Sequence, residues 1–183
     1  MKLIEVNINK FKCFLTEQKI PIEDKTTRIV GKNESGKTAF LEALAKFNYF
    51  IKDDQTFKFD KTFDYPRNEL KKYEQENPSN DLKVIECTFA IDTTIMNKIE
   101  EDVGKGVLNQ SQIKVTRNYS NILDFGELAV SERNFVHNYV RKIGLPSTIK
   151  DEFETISEID ILYENLNKYS ETKNVGDTFK KIY

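Results

Sequence analysis

The sequence predicts an α/β protein with a mixed or antiparallel sheet and a helical C-terminal segment. Three observations carry that expectation. Strand-like alternation and β-branched runs dominate the first two thirds of the 183 residues. Apolar positions at helical spacing dominate the last third. Between them in character, a glycine- and lysine-bearing run from Gly31 to Thr38 joins a β-branched stretch to an apolar helical stripe.

The elements follow in order. Leu3 to Ile8 alternates apolar and polar positions, as a half-buried strand does. Lys19-Ile20-Pro21-Ile22 reads as a short edge strand, because proline cannot donate to a central ladder. Thr27-Arg28-Ile29-Val30 is a β-branched strand that stops at Gly31. Ala39, Phe40, Leu41, Ala43, Leu44 and Phe47 form the apolar face of the next helix, with Glu42 and Lys46 outside it. A short helix is expected near Glu69 to Glu76, a strand at Val84 to Ile91, and a helix at Thr94 to Val103. Ile113 to Tyr119 is a further strand, antiparallel to the previous one. Ser131 caps a helix that Gly144 and Pro146 end. Thr148 to Asp151 resembles a capping box opening one helix that carries Phe153, Ile156, Ile159, Leu162, Leu166 and Tyr169.

Composition bounds the function. Hydrophobic residues are 38% and charged residues 32%, a folded rather than a disordered balance. A net charge of -2 gives no whole-chain basic field for nucleic acid or membrane. Two cysteines, Cys13 and Cys87, exclude a disulfide scaffold and a four-cysteine zinc site, leaving a single Cys13–Cys87 bridge as an alternative to free thiols. No apolar run reaches 18 residues, and the alternating N-terminus lacks a signal peptide's apolar stretch. The expected compartment is the cytoplasm, with no membrane partner.

One motif carries chemistry. Gly31-Lys32-Asn33-Glu34-Ser35-Gly36-Lys37-Thr38 matches G-x-x-x-x-G-K-[ST] at every fixed position. A strand delivers the chain to a loop whose successive N–H groups wrap a phosphate. Gly31 and Gly36 permit torsions and close approach that a Cβ blocks. The helix that follows points its free N–H groups and positive dipole end at the same phosphates. Lys37 is expected to reach the β- and γ-phosphates, and the Thr38 hydroxyl to ligate Mg²⁺. The implied cofactors are ATP and Mg²⁺.

The same region resembles a family. An N-terminal strand, then Asn9-Lys10-Phe11-Lys12-Cys13-Phe14, a short strand, the loop Gly31–Thr38 and Phe40-Leu41-Glu42-Ala43-Leu44 resemble the opening of the ABC-type ATPases of the SMC, RecF and OLD groups. The loop is most similar to that of OLD-like AAA ATPases of bacteria, many of which serve in phage defence, DNA repair or DNA processing. The resemblance implies a P-loop NTPase lobe, ABC ATPase-like, in which ATP glues two heads together and gates a DNA-directed activity. It implies that Asn33 bonds near the β–γ bridge. It places Lys12 where these ATPases usually carry an arginine that approaches the nucleotide. A lysine there lacks the planar fork, and an ordinary solvated lysine is the other reading.

The family's remaining machinery is not evident. It needs an acidic strand end to hold Mg²⁺ and activate water. The nearest candidate, Phe89-Ala90-Ile91-Asp92, falls in an expected antiparallel strand, and reads as a plain strand end. There is no signature motif and no Gly-Gly pair, and Gln110 and Gln112 precede rather than follow the second strand of the pair. The expected organisation is therefore residues 1–125 as an N-terminal ATPase lobe and 126–183 as a helical segment beginning an insertion or arm. The expected partners are the downstream half of a longer protein or a second head, as a homodimer in full-length form, and DNA. Alone, the chain is expected to bind ATP but not hydrolyse it. A nucleotide-binding adaptor without hydrolysis is the alternative. A small-molecule kinase is weaker, because five scattered arginines make no lid.

Other residues are less informative. His137 has no cysteine or histidine one helical turn away, so a metal role is not expected. Asp53, Asp54, Asp60 and Asp64 read as solvated loop carboxylates, with a metal cluster as the alternative. Tyr65-Pro66-Arg67 is either a plain turn or a rigid presentation of Arg67 to a phosphate or partner. Phe57 to Phe63 alternates aromatics and lysines, as a base-stacking surface or a hydrophobic strand face would.

Overall fold

A computed structural model describes residues 1–33, 35–48, 57–76 and 82–172. The chain divides into two compact units. The first comprises Met1–Asp92 and Ser111–Leu128, and the second Thr93–Gln110 and Ala129–Tyr183. The segment 93–110 thus belongs with the helices although strands flank it.

The first unit is a five-stranded sheet of order β2-β1-β3-β4-β5, formed by β1 (Lys2–Ile8), β2 (Gln18–Pro21), β3 (Lys83–Ala90), β4 (Gln112–Asn118) and β5 (Leu123–Asp124). Every pairing is antiparallel. Val6 lies opposite Ile20 on one side and Cys87 on the other, and Cys87 opposite Val115. Pro21 ends the edge strand β2, where its missing N–H does no harm. Helix α1 (Lys37–Phe47) packs on the sheet, Phe47 stacking on Phe89 with ring centroids 6.4 Å apart. Two short helices, α2 (Lys61–Asp64) and α3 (Arg67–Glu76), complete the unit. Its core gathers Val6, Ile8, Phe11, Phe40, Phe59, Tyr65, Val84, Ile85 and Tyr119.

Four expectations are corrected in this unit. Thr27–Val30 forms no strand. A strand needs a ladder partner, and residues 24–30 make no backbone hydrogen bond to the open edge of β2 or of β5. The face of α1 is rotated from the apolar stripe: Ala39, Phe40, Ala43, Lys46 and Phe47 are buried, while Leu41 is 59% exposed. Lys46 sits in phase with the buried face and finds a counter-ion there. Asp64 is not a solvated loop carboxylate but is buried, and Asp60 caps α2 by accepting from the N–H groups of Thr62 and Phe63. Phe57 to Phe63 is no strand face, since Phe59 is buried in the core and Phe63 points outward from a helix. Asp53 and Asp54 lie outside the described residues. Both cysteines are free thiols, Cys13 exposed and Cys87 buried.

The second unit contains α4 (Thr93–Val103), α5 (Glu132–Ile143), α6 (Ser147–Glu154) and α7 (Ile159–Thr172), and its core of Val136, Val140, Leu145, Phe153, Ile156 and Leu162 is drawn from α5, α6, α7 and the turns between them. Ser131 Oγ accepts from the Asn134 N–H, and Gly144 closes α5 in the left-handed region at φ 63°. The single helix expected after Thr148 is two. Pro146, not Thr148, stands at the cap of α6, and Thr148 lies inside the helix. At the far end the Thr155 hydroxyl donates to the Glu152 carbonyl, a bond that competes with the helical ladder, and Ile156 turns into the core. His137 lies within α5, and no cluster of three or more metal-ligating side chains occurs among the described residues. No described helix is long and apolar enough to cross a membrane.

Candidate phosphate-binding site

The site is built where α1 begins. Gly36 stands at the N-cap of α1 with φ 94°, a left-handed torsion that suits glycine. A Cβ there would lie 2.9 Å from Cys13 Sγ and 3.2 Å from the Phe14 ring. A Cβ on Gly31 would meet Ser35 Oγ at 2.4 Å. Gly36 is therefore demanded by its torsion as well as by space, whereas at Gly31 the crowding comes from the Ser35 side chain alone. No side chain caps α1 and no acidic residue sits in its first turn, so the positive end of the helix is left facing outward. Lys37 curls back over the loop, its Nζ donating to the carbonyls of Gly31 at 2.8 Å and Lys32 at 2.6 Å.

A second element meets the loop from the end of β1. Lys10 and Lys12 both have positive φ, near 50°, which costs a non-glycine residue on the order of 1 kcal/mol or more each. Surrounding bonds hold them there. Phe11 and Phe14 exchange two backbone hydrogen bonds, and the Lys12 N–H donates to the Asp64 carbonyl at 2.6 Å. Tyr119 Oη donates to the Lys10 carbonyl at 2.6 Å. Burial, reinforced by Asp64, Tyr65 and Tyr73, pushes the Tyr119 phenol well above its usual range, so it remains a donor. Phe11 is fully buried against Phe59, edge to face at 5.5 Å.

These two elements enclose a pocket of about 490 Å³ lined by Lys12, Cys13, Asn33, Gly36, Lys37, Thr38, Ala39 and Glu42. The volume is in the range of small-molecule sites. Of the motif residues, Asn33, Gly36, Lys37 and Thr38 line it. Gly31, Lys32 and Ser35 instead lie around the Lys37 ammonium. Glu34 lies outside the described residues. Lys12 lines the same pocket and pairs with Glu42.

The arrangement offers cations, helix-end N–H groups and a hydroxyl, a donor set suited to a polyphosphate and its divalent counter-ion. A family model described as an AAA ATPase domain matches residues 1–183. The chain belongs to the AAA ATPase domain family. AAA ATPase domains in general bind ATP with Mg²⁺, and the α/β fold with its antiparallel sheet is that of a P-loop NTPase lobe. No curated protein matches the sequence.

Asp92 does not join this AAA ATPase site. It follows β3 and binds the Met1 ammonium at 2.7 Å. Lys12, by contrast, follows Ile8 at the other end of β1. Six strand steps at about 3.3 Å each place those ends roughly 20 Å apart. Arg67 is exposed at the start of α3, next to the buried Tyr65 and Pro66, and lines no part of the pocket. A second, more apolar groove of about 700 Å³ lies in the helical unit between α4 and α5, edged by Glu100, Glu101 and Asp102. Lys105 and Lys142 line it as well, and the groove contains none of the motif residues.

Sequence reasoning missed Cys13, Ala39 and Glu42. The signal was available for Glu42: it follows Thr38 by four residues, and positions i and i+4 share one helix face.

Proposed function

We propose that this chain is the ATP- and Mg²⁺-binding portion of a larger ATPase, and that alone it binds nucleotide with hardly any turnover. The observation that carries the reading is the convergence of Lys12, Lys37, Thr38 and the uncapped start of α1 on one pocket. Asn33, Gly36, Lys37 and Thr38 would hold the phosphates, with the Thr38 hydroxyl toward the metal. The left-handed torsion of Gly36 at the start of α1 supports this, because it turns the backbone of the loop into the helix beside the pocket without a Cβ. Mg²⁺ when bound supplies charge neutralisation between the β- and γ-phosphates. Glu42 is the only carboxylate among the described residues lining the pocket, and it is paired with Lys12. Among the described residues no unpaired carboxylate lines the pocket to orient water, which supports binding without hydrolysis.

Calorimetry with MgATP should show one site per chain. Lys37→Ala should weaken it by about 1.5–3 kcal/mol, the scale of a hydrogen bond to a charged group. Equal affinity of the two proteins would end this reading. A phosphate-release assay should stay near the Lys37→Ala blank, and clear Lys37-dependent turnover would show that a catalytic carboxylate is present after all.

The finer reading is an ATPase of the OLD, SMC and RecF kind, acting in the cytoplasm. There ATP-dependent engagement with a second head, in a homodimer or through the rest of a longer chain, would gate a DNA-directed activity in repair, DNA processing or phage defence. Its support is the motif order along residues 2–44 and the exposure of the segment leading into the loop, where Val30 is 88% exposed. An adaptor that binds nucleotide without any hydrolysis in its full form is the rival. Phosphate release by the full-length protein separates the two.

A further inference from the structure

We propose that Glu42 is the counter-ion that holds Lys12 back at the rim of the phosphate pocket, and that an incoming polyphosphate takes Lys12 from it. The inference deepens the nucleotide-binding reading and rests on it. Four charges of alternating sign run from the pocket into the core of the first unit. Lys12 Nζ bonds Glu42 Oε2. Glu42 Oε1 lies 3.8 Å from Lys46 Nζ, and Lys46 Nζ lies 2.6 Å from Asp64 Oδ2. The inner pair is buried, with side chains 9% and 2% exposed, whereas Lys12 and Glu42 are each about one third exposed, at 34% and 33%.

That gradient decides which link exchanges. Lys46 cannot leave Asp64 without stranding a buried charge, and it also donates to the Lys58 carbonyl at 3.1 Å. Lys12 can leave Glu42 at less cost, because a pair one third exposed is partly screened. Its backbone is pinned to the Asp64 carbonyl and the residue already lines the pocket, so only the side chain has to swing. Glu42 is not then left alone, since Lys46 stands within ion-pair distance on the next turn of α1. A carboxylate facing a phosphate site would ordinarily be a defect. Here it neutralises Lys12 while no phosphate is present and opposes weakly bound anions. Glu42 is thus a positioning residue, acting through Lys12.

The experiment is a double-mutant cycle on the full chain, with MgATP affinity and the melting temperature of the unliganded protein read for each member. Glu42→Gln should tighten MgATP by about two- to fivefold, the size of a released, partly screened charge pair. It should lower the melting temperature at the same time, because the unliganded protein loses its ion pair. Lys12→Gln should weaken MgATP, and in that background Glu42→Gln should give no gain. A merely structural Glu42 would move both readouts down together, and that result overturns the proposal. A gain that persists without Lys12 also overturns it, since Glu42 would then repel phosphate directly. Glu42→Ala repeats the test if the glutamine variant does not fold. If the parent chain binds no MgATP, or binds no better than Lys37→Ala, the nucleotide-binding reading fails instead.

Discussion

The two stretches of chain that flank the phosphate loop are held in opposite ways. The outgoing stretch, α1, is seated on the sheet through Ala39, Phe40, Ala43 and Phe47, and is tied to α2 by the buried Lys46–Asp64 pair. The incoming stretch, 24–30, makes no backbone hydrogen bond to another strand among the described residues, and ends in Ile29 at 37% and Val30 at 88% exposed. Both flank the same loop, yet only α1 is held by buried contacts; the incoming stretch has the exposed Lys2–Asp24 pair and a bond from the Glu23 N–H to the Thr27 hydroxyl. A loop's geometry can therefore be set from its helical side alone, with the strand side left to whatever pairs with it. Breaking each side in turn tests the contrast.

The largest effect should come from the buried pair. Asp64→Asn leaves the Lys46 ammonium inside the first unit with Glu42 only 3.8 Å off as partial relief, and loses strength in the bond from the Asp60 N–H. Removing one partner of a buried pair costs about 3–5 kcal/mol, a large share of a typical domain's stability. Urea unfolding should show that loss, and Lys46→Met with Asp64→Leu together should recover most of it. A cost of Asp64→Asn below about 1 kcal/mol would mean the pair is solvated and the outgoing side is not sealed.

Next is Gly36→Ala, which strikes the junction of loop and α1. The left-handed torsion costs a residue with a Cβ about 1–2 kcal/mol, and the clash with Cys13 Sγ and Phe14 adds to it. Calorimetry should show MgATP affinity falling by more than thermal melting shows stability falling, because the Cβ intrudes on the pocket itself. Equal affinity in the variant would place the phosphates away from Gly36.

These two sites differ in how legible they were. Gly36 announces itself by local spacing, and so do β1, β3 and β4 by alternation and α5 by its Ser131 and Gly144 caps. The Lys46–Asp64 pair does not. Its partners are 18 residues apart and separated by a helix end, so nothing local tells a reader that a lysine on α1 turns inward. The apolar count misplaced Leu41 for the same reason: composition suggested a stripe, but the tertiary contacts chose a different face. Thr27–Val30 failed in the other direction. Its β-branched composition suits a strand, but a strand exists only when a neighbour supplies a ladder. The split between α6 and α7 was hidden too, because the residues flanking Thr155 keep a helical spacing through the break.

A smaller effect sharpens the picture of the sheet beneath α1. Burial, then Glu86, pushes the Cys87 thiol up from its ordinary value to about 12. The folded pKa is raised, so this group's stabilisation is full below the unfolded thiol's pKa and is lost as pH climbs toward 12. Unfolding measured from pH 8 to 10.5 should fall by up to about 1.4 kcal/mol per pH unit above roughly pH 9 from this thiol, with Tyr119 adding to the slope above pH 10. Cys87→Ala loses packing at every pH but lacks the thiol term, so its deficit against the parent should shrink as pH rises. A constant deficit would mean the thiol is solvated, and the sheet under α1 open to water.

The smallest effect on this chain is expected at Val30, and it bears hardest on the contrast. A side chain 88% exposed contributes little, so Val30→Asp should change stability by no more than about 0.5 kcal/mol in urea unfolding. MgATP affinity should fall only slightly, through the added negative charge one residue before Gly31. A loss above about 1 kcal/mol would show that Val30 is covered within the chain in solution, and the incoming stretch would then be as fixed as α1. A null result has its own consequence. An apolar, β-branched residue in an extended segment without a ladder is costly to leave in water, both for its side chain and for the aggregation that open backbone groups invite. If the proposed larger ATPase covers this segment with another strand, the same substitution that spares the isolated chain should damage the full-length protein. The pair of measurements, harmless in one and harmful in the other, would locate the missing half of the loop's support outside these residues.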